Sequence, residues 1–158
     1  MSVVIVIPAR FASTRYPGKP LVELRGAGGQ ARSLIRRSWD AAIGVRGIDR
    51  VIVATDDDRI RDHARAFGAE VAMTSPDCRN GTERCAEAVA TLGLTPEIVV
   101  NLQGDAPLTP AWFVEDLVAG LLADAVGMQA MLIVAAVAFA AVAVGLACTP
   151  FRTARAPT

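Results

Sequence analysis

Short runs of β-branched residues alternate with longer stretches of helical periodicity, and that alternation leaves the chain few architectures. Val3-Val4-Ile5-Val6-Ile7, bounded by Pro8, is apolar at every position, the pattern of a strand covered on both faces. Arg50 to Ala54, Glu70 to Met73 and Glu97 to Leu102 read as three further strands. Ser33 to Val45 carries Leu34, Ile35, Trp39, Ala42 and Ile43 on a helical spacing, and Asp58 to Phe67 stops at Gly68, a normal helix end. Thr82 to Leu92 opens on a capping residue and closes at Gly93, and Pro110 to Leu122 begins with proline, which costs nothing in a first turn. Trp39 and Trp112 fall on apolar helix faces and are expected in the core. Strands alternating with helices imply an α/β fold, with a mainly parallel sheet flanked by helices. Ligands of such sheets bind beyond the carboxyl ends of the strands. Function is therefore to be sought in the loops after Ile7, Ala54, Met73 and Leu102.

A length of 158 residues suits one ordinary domain with a real core. Hydrophobic content of 53% against 20% charged excludes a disordered chain. Basic and acidic residues number 16 each, so no basic field points to nucleic acid. Cys78, Cys85 and Cys148 form no C-x-x-C pair, which argues against a disulfide scaffold or zinc knuckle and for reduced thiols in the cytoplasm. The apolar stretch Ser2 to Ile7 is too short for a signal peptide. Every acidic residue lies at or before Asp124, and residues 125–151 carry no charge. The sequence thus divides into an α/β domain at 1–124 and an apolar segment at 125–158.

The loop after the first run reads Pro8-Ala9-Arg10-Phe11-Ala12-Ser13-Thr14-Arg15-Tyr16-Pro17-Gly18-Lys19-Pro20-Leu21, and Lys19 is the sole lysine. Its two later prolines prevent a helix. Arg10, Arg15 and Lys19 suit a polyphosphate, since arginine offers forked donors and lysine a point charge. The loop matches neither G-x-G-x-x-G nor a Walker A sequence, and a solvated basic loop is the plainer alternative. Asp105, in Gln103-Gly104-Asp105, is placed to hold a hard divalent cation such as Mg2+, or it is simply a turn residue. Asn80-Gly81-Thr82-Glu83-Arg84 reads first as a turn feeding a capped helix, and second as a helix N-terminus facing a ligand. In Thr55-Asp56-Asp57-Asp58, Asp57 or Asp58 is expected to cap the next helix while the others stay solvated. His63 reads as a surface residue.

Together these segments resemble the 3-deoxy-manno-octulosonate (KDO) cytidylyltransferase family, the CMP-KDO synthetases. Val4 to Leu21 resembles the family's opening, and Ile52 to Asp56, Met73-Thr74, Gly81 to Arg84, Asn101 to Asp105 and Val126-Gly127-Met128 follow in the family's order. The resemblance covers 3 to about 128. It implies a Rossmann-like nucleotide-diphospho-sugar transferase fold, truncated relative to the family. It implies transfer of CMP from CTP to the 2-hydroxyl of KDO, with Mg2+ and release of pyrophosphate, feeding lipopolysaccharide assembly. It further implies a cytoplasmic homodimer. Arg10 and Lys19, with Arg15 assisting, would hold the triphosphate, and Asp105 the metal. Gln103 would meet the sugar acid. Pro8, Ala9, Ser13, Thr74, Gly81, Thr82 and Arg84 would line the nucleotide pocket. Ala106, Cys78 and Asn80 depart from the family's usual acid, histidine and serine.

Nothing after Gln129 resembles the family. The uncharged run is long enough to span a bilayer, yet Arg152 and Arg155 follow it, which would put the catalytic half outside. A buried core element and an altered reading frame are the other readings. The function classes left open are an enzyme, a nucleotide-binding remnant without turnover, and a membrane-tethered relative.

Overall fold

A computed structural model of the chain describes residues 2–12, 16–26, 28–104 and 107–123. The chain divides into two compact units, Met1–Glu115 and Asp116–Thr158. The first contains strands β1 (Val3–Ala9), β2 (Glu23–Arg25), β3 (Ala31–Ser33), β4 (Arg50–Thr55), β5 (Glu70–Met73) and β6 (Ile98–Asn101). Helices α1 (Leu34–Ile43), α2 (Asp58–Ala66) and α3 (Gly81–Thr91) lie between them, and α4 (Ala111–Ala123) runs across the unit boundary. Of the second unit, the described residues are the later turns of α4. The residues on which the membrane, core and altered-frame readings turn, 125–151, lie outside the described residues. Among those described, no helix is long and apolar enough to cross a membrane.

Four strands form one parallel sheet in the order β5-β4-β1-β6. The chain steps outward from β1 to β4 to β5, then returns past both to place β6 on the other side of β1. That reversal opens a crevice between the carboxyl ends of β1 and β6, the position where open α/β sheets hold their ligands. Alternation along the strands sends Val4, Val6, Ile52, Ala54 and Ala72 to one face, where they pack with Cys85 and Ala88 of α3. Ile5, Ile7 and Val53, all 0% exposed, take the opposite parity, and α1 and α2 contact β1, β4 and β5. Both faces are covered, which is why the strands read as continuous apolar runs.

The helices begin where local chemistry permits. Ser33 accepts the amide of Arg36 at the start of α1, and Asp57 accepts that of Arg59 at the start of α2. The side chain that caps α3 is Asn80, which accepts the amide of Glu83; Thr82 is already inside the first turn. The antiparallel pair β2–β3 lies outside the main sheet and leaves no mark in the sequence, because Glu23, Leu24 and Arg25 are all exposed and show no period.

Two further expectations are corrected. Trp112 is 62% exposed; Val114, two residues on, is buried, and a two-residue step turns a helix to nearly its opposite side. His63 is part-buried, with Nε2 at 2.7 Å from the Ser33 hydroxyl and its ring edge-on to Phe67. Trp39 is half-buried against Phe67, 5.2 Å between centroids.

Cys85 provides a test of the packing between α3 and the sheet. Burial pushes its thiol from an ordinary 9.0 up to about 11. The folded thiol therefore stays neutral in a window where the unfolded thiol ionises, and stability falls as pH rises through that window. Urea midpoints of the native chain should drop across it more steeply than those of Cys85→Ala; equal slopes would refute the assignment.

Candidate functional site

Pro8 is the centre around which the carboxyl edge is built. Val3 accepts a bond from Asp49 on the β4 side, and Val6 accepts one from Leu102 on the β6 side. Successive residues address alternate edges, so Pro8 shares the β6 side with Val6. Pairing with β6 ends at Val6–Asn101, so the missing N–H of Pro8 breaks no ladder. On the other edge the strand stays paired with β4 as far as Ala9–Thr55.

Two glycines close on this proline from different elements. A Cβ on Gly104 would lie 2.9 Å from the Pro8 carbonyl oxygen, so only glycine lets the β6 loop pass there. The Ser38 hydroxyl, wholly buried in α1, lies 3.0 Å from the Gly104 carbonyl and fixes the loop from below. A Cβ on Gly81 would lie 3.1 Å from Pro8 Cγ and 3.6 Å from Gln103 Nε2. The first turn of α3 is thereby set against both. Gln103 Nε2 donates to Asn101 Oδ1 at 2.9 Å, and Asn101 Nδ2 donates to Thr82 Oγ1 at 3.5 Å. This polar chain joins the end of β6 to the positive end of α3. Asp105 and Ala106 lie outside the described residues.

The cationic loop is pinned at its neck. Gly18 N donates to the Phe11 carbonyl at 2.9 Å. Gly18 has φ +71, and a Cβ there would sit 3.1 Å from the Phe11 ring. Arg59 of α2 lies over the same ring, 3.3 Å from its centroid. Arg10 and Lys19 each adjoin one side of this neck. Lys19 is exposed and opens a 3-10 turn, Lys19–Leu21. Arg10 Nη2 is buried with no hydrogen-bond partner among the described residues. Ser13 and Arg15 lie outside the described residues.

Arg84 was expected to line the nucleotide pocket, but its side chain is 0% exposed. It donates to Thr74 Oγ1 through Nη1 and to Asp56 Oδ2 through Nη2, the latter at 2.9 Å. A charge this deep must be paired, and the helical register of α3 points Arg84 inward. Asp56 is consequently no solvated carboxylate: its side chain is 16% exposed and holds this buried cation. Beside them the buried Cys78 thiol donates to Glu87 Oε2 at 2.8 Å. That bond and burial raise the thiol, opposed by the nearby Arg84 and Arg10 cations. It is held as a neutral donor, unsuited to nucleophilic work. Among the described residues no group of three or more histidine, cysteine or acidic side chains forms a metal cluster.

The arrangement offers a pinned cationic loop, a helix N-terminus and a polar strand end around one crevice, which suits a phosphorylated ligand. The chain is similar to known proteins over most of its length. A family model described as cytidylyltransferase matches residues 4–138. A 3-deoxy-manno-octulosonate cytidylyltransferase of Maricaulis maris (strain MCS10) is 52% identical over 124 residues, covering 78% of this chain and 46% of that protein. An 8-amino-3,8-dideoxy-manno-octulosonate cytidylyltransferase of Shewanella frigidimarina (strain NCIMB 400) is 44% identical over 119 residues, covering 75% and 46%. A solved CMP:2-keto-3-deoxy-manno-octonic acid synthetase complexed with CTP superposes with a TM-score of 0.72 at 39% identity, over 78% of this chain and 48% of that one. The chain spans less than half the length of these relatives.

Two glycine substitutions test the geometry. Gly104→Ala should lower unfolding free energy by about 1–3 kcal/mol, because its Cβ meets a backbone oxygen that cannot turn away. Gly120→Ala, in open space on α4, should raise it by roughly 0.5–1 kcal/mol. Urea unfolding reads both, and a tolerated Gly104→Ala would contradict the close approach.

Proposed function

We propose that this chain, which belongs to the cytidylyltransferase family, binds CTP in the crevice beside Pro8 and transfers CMP to the 2-hydroxyl of KDO. The observation that carries the reading is the convergence on Pro8: Gly81 and Gly104 bring the start of α3 and the Gln103 loop onto the strand that feeds the cationic loop. Arg10 and Lys19, with Arg15, hold the triphosphate. Pro8, Ala9, Ser13, Thr74, Gly81 and Thr82 line the nucleotide side. Gln103, exposed at the end of β6, meets the sugar acid.

The reaction is a displacement at phosphorus. The sugar oxygen forms a bond to the α-phosphorus, the bond from that phosphorus to the bridging oxygen of the β-phosphate breaks, and pyrophosphate leaves with the electron pair. The hydroxyl proton is lost to solvent. Negative charge builds on phosphate oxygens, so the protein acts chiefly by positioning and by opposing that charge. Arg10 is suited to this, since one of its donors is buried with no other partner among the described residues. A single carboxylate on a glycine-anchored loop fits Mg2+, which takes one or two protein carboxylates and completes its shell with phosphate oxygens and water. Asp105 would hold it, and its charge would supply neutralisation at the phosphates. The same reading includes residues 1–124 as the nucleotide-binding domain, 125–158 as a segment apart, a homodimer, a cytoplasmic setting where CTP is made, and a product used in lipopolysaccharide assembly.

Pyrophosphate release from CTP, Mg2+ and KDO by the purified chain tests the proposal, with the 8-amino analogue of KDO as competing acceptor. Arg10→Ala and Asp105→Ala should each lower the rate by roughly 10²–10³-fold. Unchanged turnover in either variant would overturn its role. Absence of both turnover and calorimetric CTP binding in the native chain would overturn the function.

A further inference from the structure

The ion pair between Arg84 and Asp56 joins three elements that sequence separates widely. Asp56 follows the last residue of β4, Thr74 follows the last residue of β5, and Arg84 is in the first turns of α3. One guanidinium bonds the first two from the third, and Thr74 N also donates to the Thr55 carbonyl at 2.9 Å. Arg84 cannot be solvated where it lies, so its position depends on Asp56. The pair is also incompletely satisfied: Arg84 Nε and Asp56 Oδ1 are both buried without a hydrogen-bond partner among the described residues. Buried polar atoms are normally paired, so these two call for an explanation.

The cationic loop is held by different contacts. Its neck rests on the Phe11–Gly18 bond and on Arg59 over Phe11, and Arg59 is paired with Asp57. None of these uses Asp56, Thr74 or Arg84. The pair and the neck thus share no side-chain bond: phosphate-type donors lie above β1, and the neutralised pair backs a wall at β4, β5 and α3. A nucleotide with its phosphates on the loop has only its ribose and base left to set against that wall.

We propose that Asp56, acting through Arg84, is a positioning residue for the nucleoside half of the bound nucleotide and contributes nothing to grip on the phosphates. This rests on the CTP-binding reading given above. Calorimetry on the full chain with Mg2+ separates the two halves, using CTP as one probe and inorganic tripolyphosphate as the other. Asp56→Asn, which removes the charge and keeps the shape, should weaken CTP at least about tenfold, the scale expected of a modest misplacement. Tripolyphosphate should stay within about twofold of its native value. Asp56→Glu, which restores the charge, should recover part of the loss. A variant that leaves Arg84 unpaired risks failing to fold; the double variant Asp56→Asn with Arg84→Gln removes both charges and is then read in the same way, with thermal melting as the check on folding.

Equal weakening of both probes in a folded variant overturns the proposal, because a merely structural strut would act on both. Unchanged CTP binding overturns it as well, and leaves the proposed function standing. CTP binding by a native chain that ignores tripolyphosphate overturns the division into two halves. A native chain that binds neither probe overturns the CTP-binding reading, and this inference with it.

Discussion

The carboxyl edge of the sheet depends on a residue that has no N–H to donate. Pro8 stands in β1, a strand paired on both sides, yet its empty edge faces the side that β6 has already left. Proline there ends the β6 ladder without cost and fixes the backbone where the loop begins. It also presents a compact, rigid surface. Gly81 and Gly104 reach it because neither carries a side chain, and no larger residue would allow two further backbones within van der Waals contact of the same ring and carbonyl. The crevice is shaped by this crowding more than by any hydrogen bond.

Charge is used in two distinct ways across the domain. Arg46–Glu115, Arg59–Asp57 and Arg61–Asp58 lie at the surface, where at least one partner is well exposed. Such pairs contribute little, because water and salt screen them. Arg84–Asp56 belongs to another regime, because removal of either partner strands the other in the interior. A buried pair of this kind is a poor way to gain stability and a good way to enforce one arrangement of three chain segments.

What the sequence disclosed followed from which signals are periodic. Among the described residues all four parallel strands and all four α-helices are legible, since burial on both faces leaves an unbroken apolar run and burial of one helical stripe leaves a period of 3.6. Their ends shifted slightly: β1 runs on through Pro8 to Ala9, and β6 is shorter than the run Glu97 to Leu102. The β2–β3 hairpin was illegible because exposed strands leave no such mark. Pro8, Gly81, Thr82 and Gln103 stand out in the sequence, and the structure brings them to one edge. Arg84 was named for the wrong surroundings: its helical position was readable, but which neighbours it would meet depends on where β4 and β5 end. Ser38 was missed outright, since a serine in mid-helix looks like any other until the loop it anchors is seen. Asn80 as the cap in place of Thr82 is a difference of two residues within one turn signal.

The strand order has a kinetic side. Val3 pairs with Ile98 in β6 although β4, β5 and three helices intervene in the chain. Local steps can assemble β1, β4 and β5 early, because each closes a modest loop, whereas docking β6 must close the longest one. The crevice beside Pro8 has one wall until that happens. During synthesis the Pro8 edge is therefore completed only when β6 docks, and a chain halted before Gly104 emerges would carry the cationic loop with nothing opposite it.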